Sequence, residues 1–207
     1  MIELVLDGRR VHVLPLIKGL ISEAERLEKA FHSLSPSRVL IPLPPEQLPA
    51  LGSPESFSDY TPSAVELAYA HHLSHFGEVE IPAPCWVRAY SLCQEHEVEI
   101  LPLDMPEDVF SDIYLDRVGA LELLRETRFA KKALKRRFDK TSPEAFVLDW
   151  DAKLNSSRGF RAVERAREEF IANSARNLAI DGSLLLLEWE RLEPILEILR
   201  TPHRDEP

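Results

Sequence analysis

The stretch that decides the fold is Ser183–Trp189, SLLLLEW, which lies between two segments with helical periodicity. Its four consecutive leucines show no polar alternation, as is typical of a strand buried on both faces of a parallel sheet. Residues 158–182 before it and residues 190–200 after it both favour helix. A buried strand with a helix on each side indicates an α/β protein, in which helices cover a parallel sheet.

Outward from this strand, the chain predicts a small, mainly parallel sheet with an N-terminal hairpin and helices on both faces. Asp7-Gly8 separates two short apolar runs and suits the tight turn of a β-hairpin. Apolar runs between helical patterns predict further parallel strands, and residues 11–43 are expected to form a strand-helix-strand unit with a right-handed crossover. These strands are expected at residues 11–16, 38–43 and 98–103.

The middle of the chain differs from this alternating pattern. Residues 105–155 carry no strand signal, so we expect a helical insertion there, with a break near Ser111 and Asp112. A proline-rich loop is expected at residues 44–62. The length of the chain suits one α/β domain spanning residues 1–207.

Composition and charge limit the classes of function. The formal net charge of −10 opposes binding to nucleic acid and to anionic membranes. No apolar run approaches the roughly 20 residues of a membrane span, and the N-terminus lacks the pattern of a signal peptide. Two cysteines cannot form a disulfide framework. We therefore expect a cytoplasmic protein that does not act at a membrane.

Four segments carry a resemblance to a known family. The first is residues 11–48, which begins VHVLPLIKGLISEAERLEKAF. The others are residues 82–104 (PAPCWVRAYSLCQEHEVEILPLD), 164–178 (ERAREEFIANSARNL) and 182–199 (GSLLLLEWERLEPILEIL). In this order they resemble segments of the TraB/PrgY family, whose fold is related to that of EreA/ChaN-like hydrolases. The resemblance covers about half of the chain and implies a metal-dependent hydrolytic site with two GxxH histidines and a strand glutamate.

The chain departs from that family at the residues that matter for chemistry. Leu20 and Leu192 stand at the two histidine positions, and Pro42 stands at the glutamate position. None of these side chains can ligate a metal or move a proton. Asp104 and Arg167 still match the family pattern. The resemblance therefore implies a pseudoenzyme without a cofactor, with an apolar plug at the ancestral site, which acts by binding a partner or ligand.

A relocated metal site is the alternative for an enzyme. His71 and His75 are four residues apart on a predicted helix, and Cys93 and His96 form a second pair at a ligand-like spacing. If the two segments meet, they could hold zinc or manganese in a hydrolase. The competing interpretation is exposed helix histidines and a buried structural cysteine, because HHxxH lacks the glutamate of the HExxH motif.

A basic segment suggests a further surface. Residues 128–137, RFAKKALKRR, contain six basic side chains in ten. The residues expected to bind an anion or a partner are Arg128, Lys131, Lys135 and Arg136. The alternatives are a solvated helix face and a surface that docks on an acidic partner or sister subunit. A third hypothesis follows, in which the helices at residues 106–140 form a homodimer or a partner surface.

Overall fold

The structure is a computed structural model that describes residues 1–53 and 60–201. Within these ranges the chain forms a five-stranded sheet and eight α-helices, so the predicted α/β class is confirmed. The strands are β1 (Ile2–Leu6), β2 (Arg9–Leu16), β3 (Arg38–Ile41), β4 (Glu99–Pro102) and β5 (Ser183–Glu188). The helices are α1 (Ile21–Leu34), α2 (Ala64–Leu73), α3 (Pro84–Glu95), α4 (Glu107–Arg117), α5 (Ala120–Ala133), α6 (Pro143–Leu154), α7 (Arg158–Leu178) and α8 (Leu192–Arg200).

The sheet has the order β1-β2-β5-β3-β4, so the leucine strand β5 occupies its centre. β2, β5, β3 and β4 run parallel to one another, and β1 pairs antiparallel with β2. Asp7 and Gly8 have φ values of 48° and 84°, the positive angles that a tight hairpin turn needs. The mainly parallel sheet and the N-terminal hairpin are therefore confirmed.

Helices cover both faces of the sheet. On one face, Leu185 and Leu187 of β5 pack in a cluster with residues of α7 and α8. On the other face, Leu184 and Leu186 pack in a second cluster with residues of α1 and α3. All four leucines are fully buried, and each burial contributes about 1.5–3 kcal/mol. This two-sided burial explains why the strand sequence shows no alternation.

Residues 105–155 contain α4, α5 and α6 and no strand. Aromatic residues of α5 and α6, including Phe146 and Trp150, form a third apolar cluster with α2. The predicted break near Ser111 and Asp112 is wrong, because α4 continues through both residues and the chain breaks at Val118–Gly119 instead. The hydroxyl of Ser111 donates to the carbonyl of Glu107 at 2.7 Å, which allows a serine inside the helix.

The predicted loop at residues 44–62 contains a short 3₁₀ helix, Pro49–Gly52, and its residues 54–59 lie outside the described part of the chain. No helix in the described part combines the length and apolar character needed to cross a membrane. The four parallel strands end at Leu16, Ile41, Pro102 and Glu188. We call the rim formed by these ends and the segments after them the carboxyl edge, which is where open α/β sheets usually bind ligands.

Candidate functional site

A chain of ion pairs runs along the carboxyl edge. Its members come from the segments after β2 and β4, from α7, and from the end of β5 with the turn that follows. We call it the edge network, and it consists of Lys18, Asp104, Glu164, Arg167, Glu188, Glu190 and Arg191. The network joins elements that are distant in the sequence, so the fold itself assembles it.

The half of the edge network near β4 is built on α7. The Nε atom of Arg167 donates to Oδ2 of Asp104 at 3.2 Å, and Nη1 of Arg167 lies 3.4 Å from Oε1 of Glu164. Glu164 also accepts from Nη2 of Arg191 at 2.6 Å. Burial alone would raise the pKa of Glu164, but the charges of Arg191 and Arg167 outweigh it and hold the pKa below its usual value. Glu164 therefore remains a carboxylate between two guanidinium groups.

The other half of the edge network lies at the end of β5. Lys18 Nζ donates to Oε1 of Glu188 at 2.8 Å and lies 3.4 Å from Oε1 of Glu190. Glu188 also pairs with Arg191 in the turn after the strand. The side chains of Glu188 and Arg191 are both buried. The charge of Lys18 is thus neutralised by two carboxylates, which fix its side chain at the carboxyl edge.

Two further carboxylates flank the network on α6 and α7. Burial and the charge of Glu164 raise the pKa of Asp151, and burial raises the pKa of Glu168 to about 7. Both line a shallow pocket of about 430 Å³. A carboxyl group that titrates near neutral pH can take up or release a proton, which is a property of general acids and bases.

A pocket of about 240 Å³ opens above the edge network, and we call it the edge pocket. Its charged lining residues are Lys18, Glu66, Glu80 and Glu188, and its other polar or aromatic ones are Gln47, Tyr60, Tyr69 and Trp86. Burial opposes the ionisation of Glu66, but hydrogen bonds from Tyr60 and Ser63 outweigh it, so the pKa of Glu66 lies below its usual value. The pocket wall therefore carries more negative than positive charge at neutral pH.

Tyr69 lies at the base of the edge pocket. Its ring packs 5.5 Å from the ring of Phe146 and 5.3 Å from that of Trp150, measured between centroids. Its hydroxyl is buried and has no hydrogen-bond partner among the described residues. Burial, with the nearby charge of Glu190, raises the pKa of Tyr69 well above its usual value. The hydroxyl is therefore a protonated donor that a ligand in the pocket could satisfy.

No family model matches the chain, and no curated protein matches it in sequence. Its function is therefore inferred from the side chains that the fold brings together.

The five positions singled out by the family resemblance lie in different surroundings. Asp104 and Arg167 contact each other directly in the edge network. Leu20 is buried in the third apolar cluster, and Leu192 is buried in the cluster between the sheet and α8. Pro42 is buried immediately after β3. The two leucines at the histidine positions thus belong to two separate clusters.

The four residues of the alternative metal site are not brought together. His71 and His75 are exposed, and α2 ends at Leu73, between them. Cys93 lies on α3 and is buried in the second apolar cluster, where burial raises the pKa of its thiol to about 12. His96 is exposed, with its ring centroid 5.3 Å from that of His32. Among the described residues, no three His, Cys, Asp or Glu side chains form a group that could hold a metal ion.

Of the basic residues expected to bind an anion or partner, Arg128, Lys135 and Arg136 line one pocket, and Lys131 does not. The neighbouring Lys132 lines it instead. Sequence reasoning also missed most of the edge network. Glu188, Glu190 and Arg191 directly follow the leucine run, and this position past a buried strand is the one signal that could have indicated them.

Proposed function

We propose that this protein is a non-catalytic relative of the TraB/PrgY family that binds a small, positively charged molecule in the edge pocket. The observation that carries the proposal is the charge of the pocket wall. Glu66, Glu80 and Glu188 contribute three carboxylates, whereas Lys18 contributes one ammonium group that is already paired with Glu188. The carboxylates of Glu66 and Glu80 therefore leave a net negative charge on the pocket wall, which favours a cationic ligand.

The aromatic residues of the pocket support the same kind of ligand. Tyr60, Tyr69 and Trp86 all contribute to the lining. The faces of such rings attract ammonium groups, and the interaction is worth about 0.5–2 kcal/mol depending on desolvation. The volume of about 240 Å³ lies below the roughly 300–1,000 Å³ of common ligand pockets, so the ligand is a small molecule.

The non-catalytic part of the proposal rests on the residues at the positions of the family's metal site. Leu20, Pro42 and Leu192 are all buried, and their side chains have no lone pair to offer a metal ion. The Asp104 carboxylate and the Arg167 guanidinium are engaged with each other. We therefore assign the edge network a structural role, in which its ion pairs hold strands and helices together, and we assign ligand binding to the edge pocket beside it.

Calorimetric titration with choline tests the proposal, with 3,3-dimethyl-1-butanol as a neutral molecule of the same shape. We expect saturable binding of choline and about tenfold weaker binding of the alcohol, because only choline carries the charge that the carboxylates and rings attract. Glu66→Gln should weaken choline binding about fivefold, whereas Glu78→Gln, an exposed glutamate outside the pocket lining, should leave it unchanged. Equal binding of both molecules, or no effect of Glu66→Gln, contradicts a cation site.

The hydrolase alternative is tested separately by metal analysis of the purified protein. Stoichiometric zinc or manganese whose removal abolishes hydrolysis of an ester or peptide would contradict the non-catalytic part of the proposal. A His71→Ala, His75→Ala variant that loses this metal would then assign it to those histidines. Metal content that is substoichiometric and unaffected by the variant supports the binding protein.

We propose self-association through the helices of residues 106–140 as a second candidate function. Leu115 on α4 is 78% exposed, and Leu121 on α5 is 75% exposed. Leu124 is also exposed and lies one turn after Leu121, so both point to the same side of α5. A group of adjacent exposed apolar side chains is typical of interaction surfaces. Sedimentation at low and high salt tests the candidate, because a Leu121→Lys, Leu124→Lys variant should become monomeric if these leucines join two copies.

A further inference from the structure

A second pocket lies between α5, α6 and the start of α7, and it shares no lining residue with the edge pocket. It has a volume of about 630 Å³, and we call it the basic pocket. Its charged lining residues are Arg125, Glu126, Arg128, Lys132, Lys135, Arg136 and Lys153. Phe129, Leu154 and Phe160 contribute apolar surface, and Ser156 and Ser157 contribute hydroxyl groups. Six basic groups and one carboxylate therefore surround one concave space.

Most of this positive charge is uncompensated. Within residues 1–53 and 60–201, the charged nitrogens of five of the six basic residues have no carboxylate oxygen within 4.0 Å. These five residues are Arg125, Arg128, Lys132, Lys135 and Arg136. The sixth, Lys153, pairs with Asp149 at 2.5 Å. The concentration of unpaired cations is unexpected on a chain whose net charge is −10, because dispersed lysines and arginines would usually pair with its excess of carboxylates.

Two of the basic residues of the pocket also contact aromatic rings of the third apolar cluster. The guanidinium of Arg136 lies 5.2 Å from the ring centroid of Phe129, a buried residue of the third apolar cluster. Lys153 Nζ lies 5.0 Å from the ring centroid of Phe138. Lys153 also donates to the carbonyl of Arg137 at 3.1 Å and to Asp149, whereas the ring contact of Arg136 leaves its N–H groups available to a ligand.

The start of α7 closes the remaining side of the basic pocket. The backbone N–H groups at the N-terminus of α7 mostly have partners already, because Gly159 N donates to Glu122 at 2.7 Å and Phe160 N donates to Ser157 Oγ at 3.3 Å. Hydrogen bonds from Gly119, Ser157 and Gly159 lower the pKa of Glu122 to about 2, so this carboxylate stays ionised there. An anion in the pocket would therefore be bound by the basic side chains, with the helix dipole as a minor contribution.

We propose that the basic pocket binds a small polyanion that carries two or more phosphate groups. Guanidinium and ammonium groups are the side chains that phosphates prefer, and arginine can donate two parallel hydrogen bonds to one phosphate. Several phosphates are needed to engage cations that come from α5, the segment after it and α6. The volume of about 630 Å³ accommodates a molecule of this size. Nucleic acid is a poorer fit, because the rest of this acidic surface would repel a long strand.

Calorimetric titration of the intact protein with inorganic triphosphate tests this proposal. We expect one saturable site whose affinity falls about tenfold between 50 mM and 300 mM KCl, because the contacts are ionic and partly exposed. An Arg128→Ala, Lys132→Ala variant should bind triphosphate at least about tenfold more weakly. Lys131→Ala is the matched control, since Lys131 is an exposed neighbour of Lys132 on α5 but does not line the pocket. It should change the affinity less than twofold.

Other outcomes would overturn the proposal. An equal loss of affinity in Lys131→Ala would indicate a diffuse field of positive charge instead of a built site. Binding of a single-stranded oligonucleotide more tightly than triphosphate would indicate a nucleic-acid surface. Thermal unfolding of each variant without ligand checks that the fold is intact, and both variants change exposed side chains only. Choline binding should be the same in all variants, so this proposal and that for the edge pocket can fail independently.

Discussion

Arg167 on α7 donates hydrogen bonds to Asp104, two residues beyond the end of β4, and this contact closes the edge network at one end. The Asp104 side chain is 1% exposed and that of Arg167 is 21% exposed. Asp104 also accepts from the backbone N–H of Met105 at 2.8 Å, and the Arg167 guanidinium lies 5.6 Å from the ring centroid of Phe110. The pair therefore joins the sheet, α4 and α7 at one point, and its first role is structural.

Removal of the Arg167 charge should strongly destabilise the protein. Arg167→Met leaves the buried carboxylate of Asp104 without its counter-ion, and breaking a buried pair in this way costs about 3–5 kcal/mol. Because Arg167 is partly exposed, we expect a loss of about 2–4 kcal/mol in the free energy of unfolding. Equilibrium urea unfolding at pH 7 measures it.

Arg165 on the same helix provides the control for this prediction. It pairs with Glu169 at 3.1 Å, but its side chain is mostly exposed. Arg165→Met should therefore change the unfolding free energy by less than about 0.5 kcal/mol. In an Asp104→Leu, Arg167→Met variant, loss of both charges should recover part of the stability lost in Arg167→Met. If Arg167→Met is as mild as Arg165→Met, the pair does not support the fold.

Glu168 should make the stability of the protein depend on pH near neutrality. Its pKa is raised by burial from 4.5 to about 7 in the folded state. Between these values the folded state keeps a proton that the unfolded state has released, so stability decreases as pH rises through this window. Below pH 4.5 both states are protonated, and above pH 7 the full penalty is present.

Glu168→Gln should remove this pH dependence. Because the side chain is partly exposed, solvent screening reduces the penalty to roughly 1 kcal/mol, so the variant should gain about that much at pH 8 and nothing at pH 4. Urea unfolding at the two pH values measures the difference. Glu169→Gln, a change at the adjacent exposed residue, should not show this gain in stability at pH 8. A gain at pH 4 equal to that at pH 8 would show that ionisation is not the cause.

The fold could be predicted from the sequence because its strongest signal is local. The four leucines of β5 are buried on both faces, and such burial removes the alternation that exposed strands show. The break in the helical insertion was misplaced for an equally local reason. Ser111 is accommodated by its hydrogen bond to the preceding turn, whereas Gly119, which begins α5 as its N-cap, marks the actual break.

The candidate site was harder to predict because its contacts are not local. Lys18 and Glu188 are 170 residues apart in the chain, and Glu164 and Arg191 are 27 apart. The alternation of basic and acidic residues along α7 predicts ion pairs between residues three or four apart, but it cannot show which charges face the end of the sheet. Arg167 was singled out by the family resemblance alone. The strand order, which places β2 and β3 on either side of β5, decides which charges meet at the carboxyl edge, and the local sequence does not reveal it.

Tyr69 offers a test in which stability and binding should change in opposite directions. Tyr69→Phe keeps the ring contacts with Phe146 and Trp150 but removes a buried hydroxyl that has no partner among the described residues. An unsatisfied buried donor costs about 1–3 kcal/mol, so the variant should gain about 1 kcal/mol of stability without ligand. Its affinity for choline should fall about fivefold, because the hydroxyl group of choline loses a donor.

Urea unfolding and calorimetry measure the two effects. The control is Tyr60→Phe, which removes a hydrogen bond to Glu66 and should show no gain in stability. A loss of stability in Tyr69→Phe would mean that the hydroxyl is already satisfied, and it would then no longer be a ligand donor in the edge pocket.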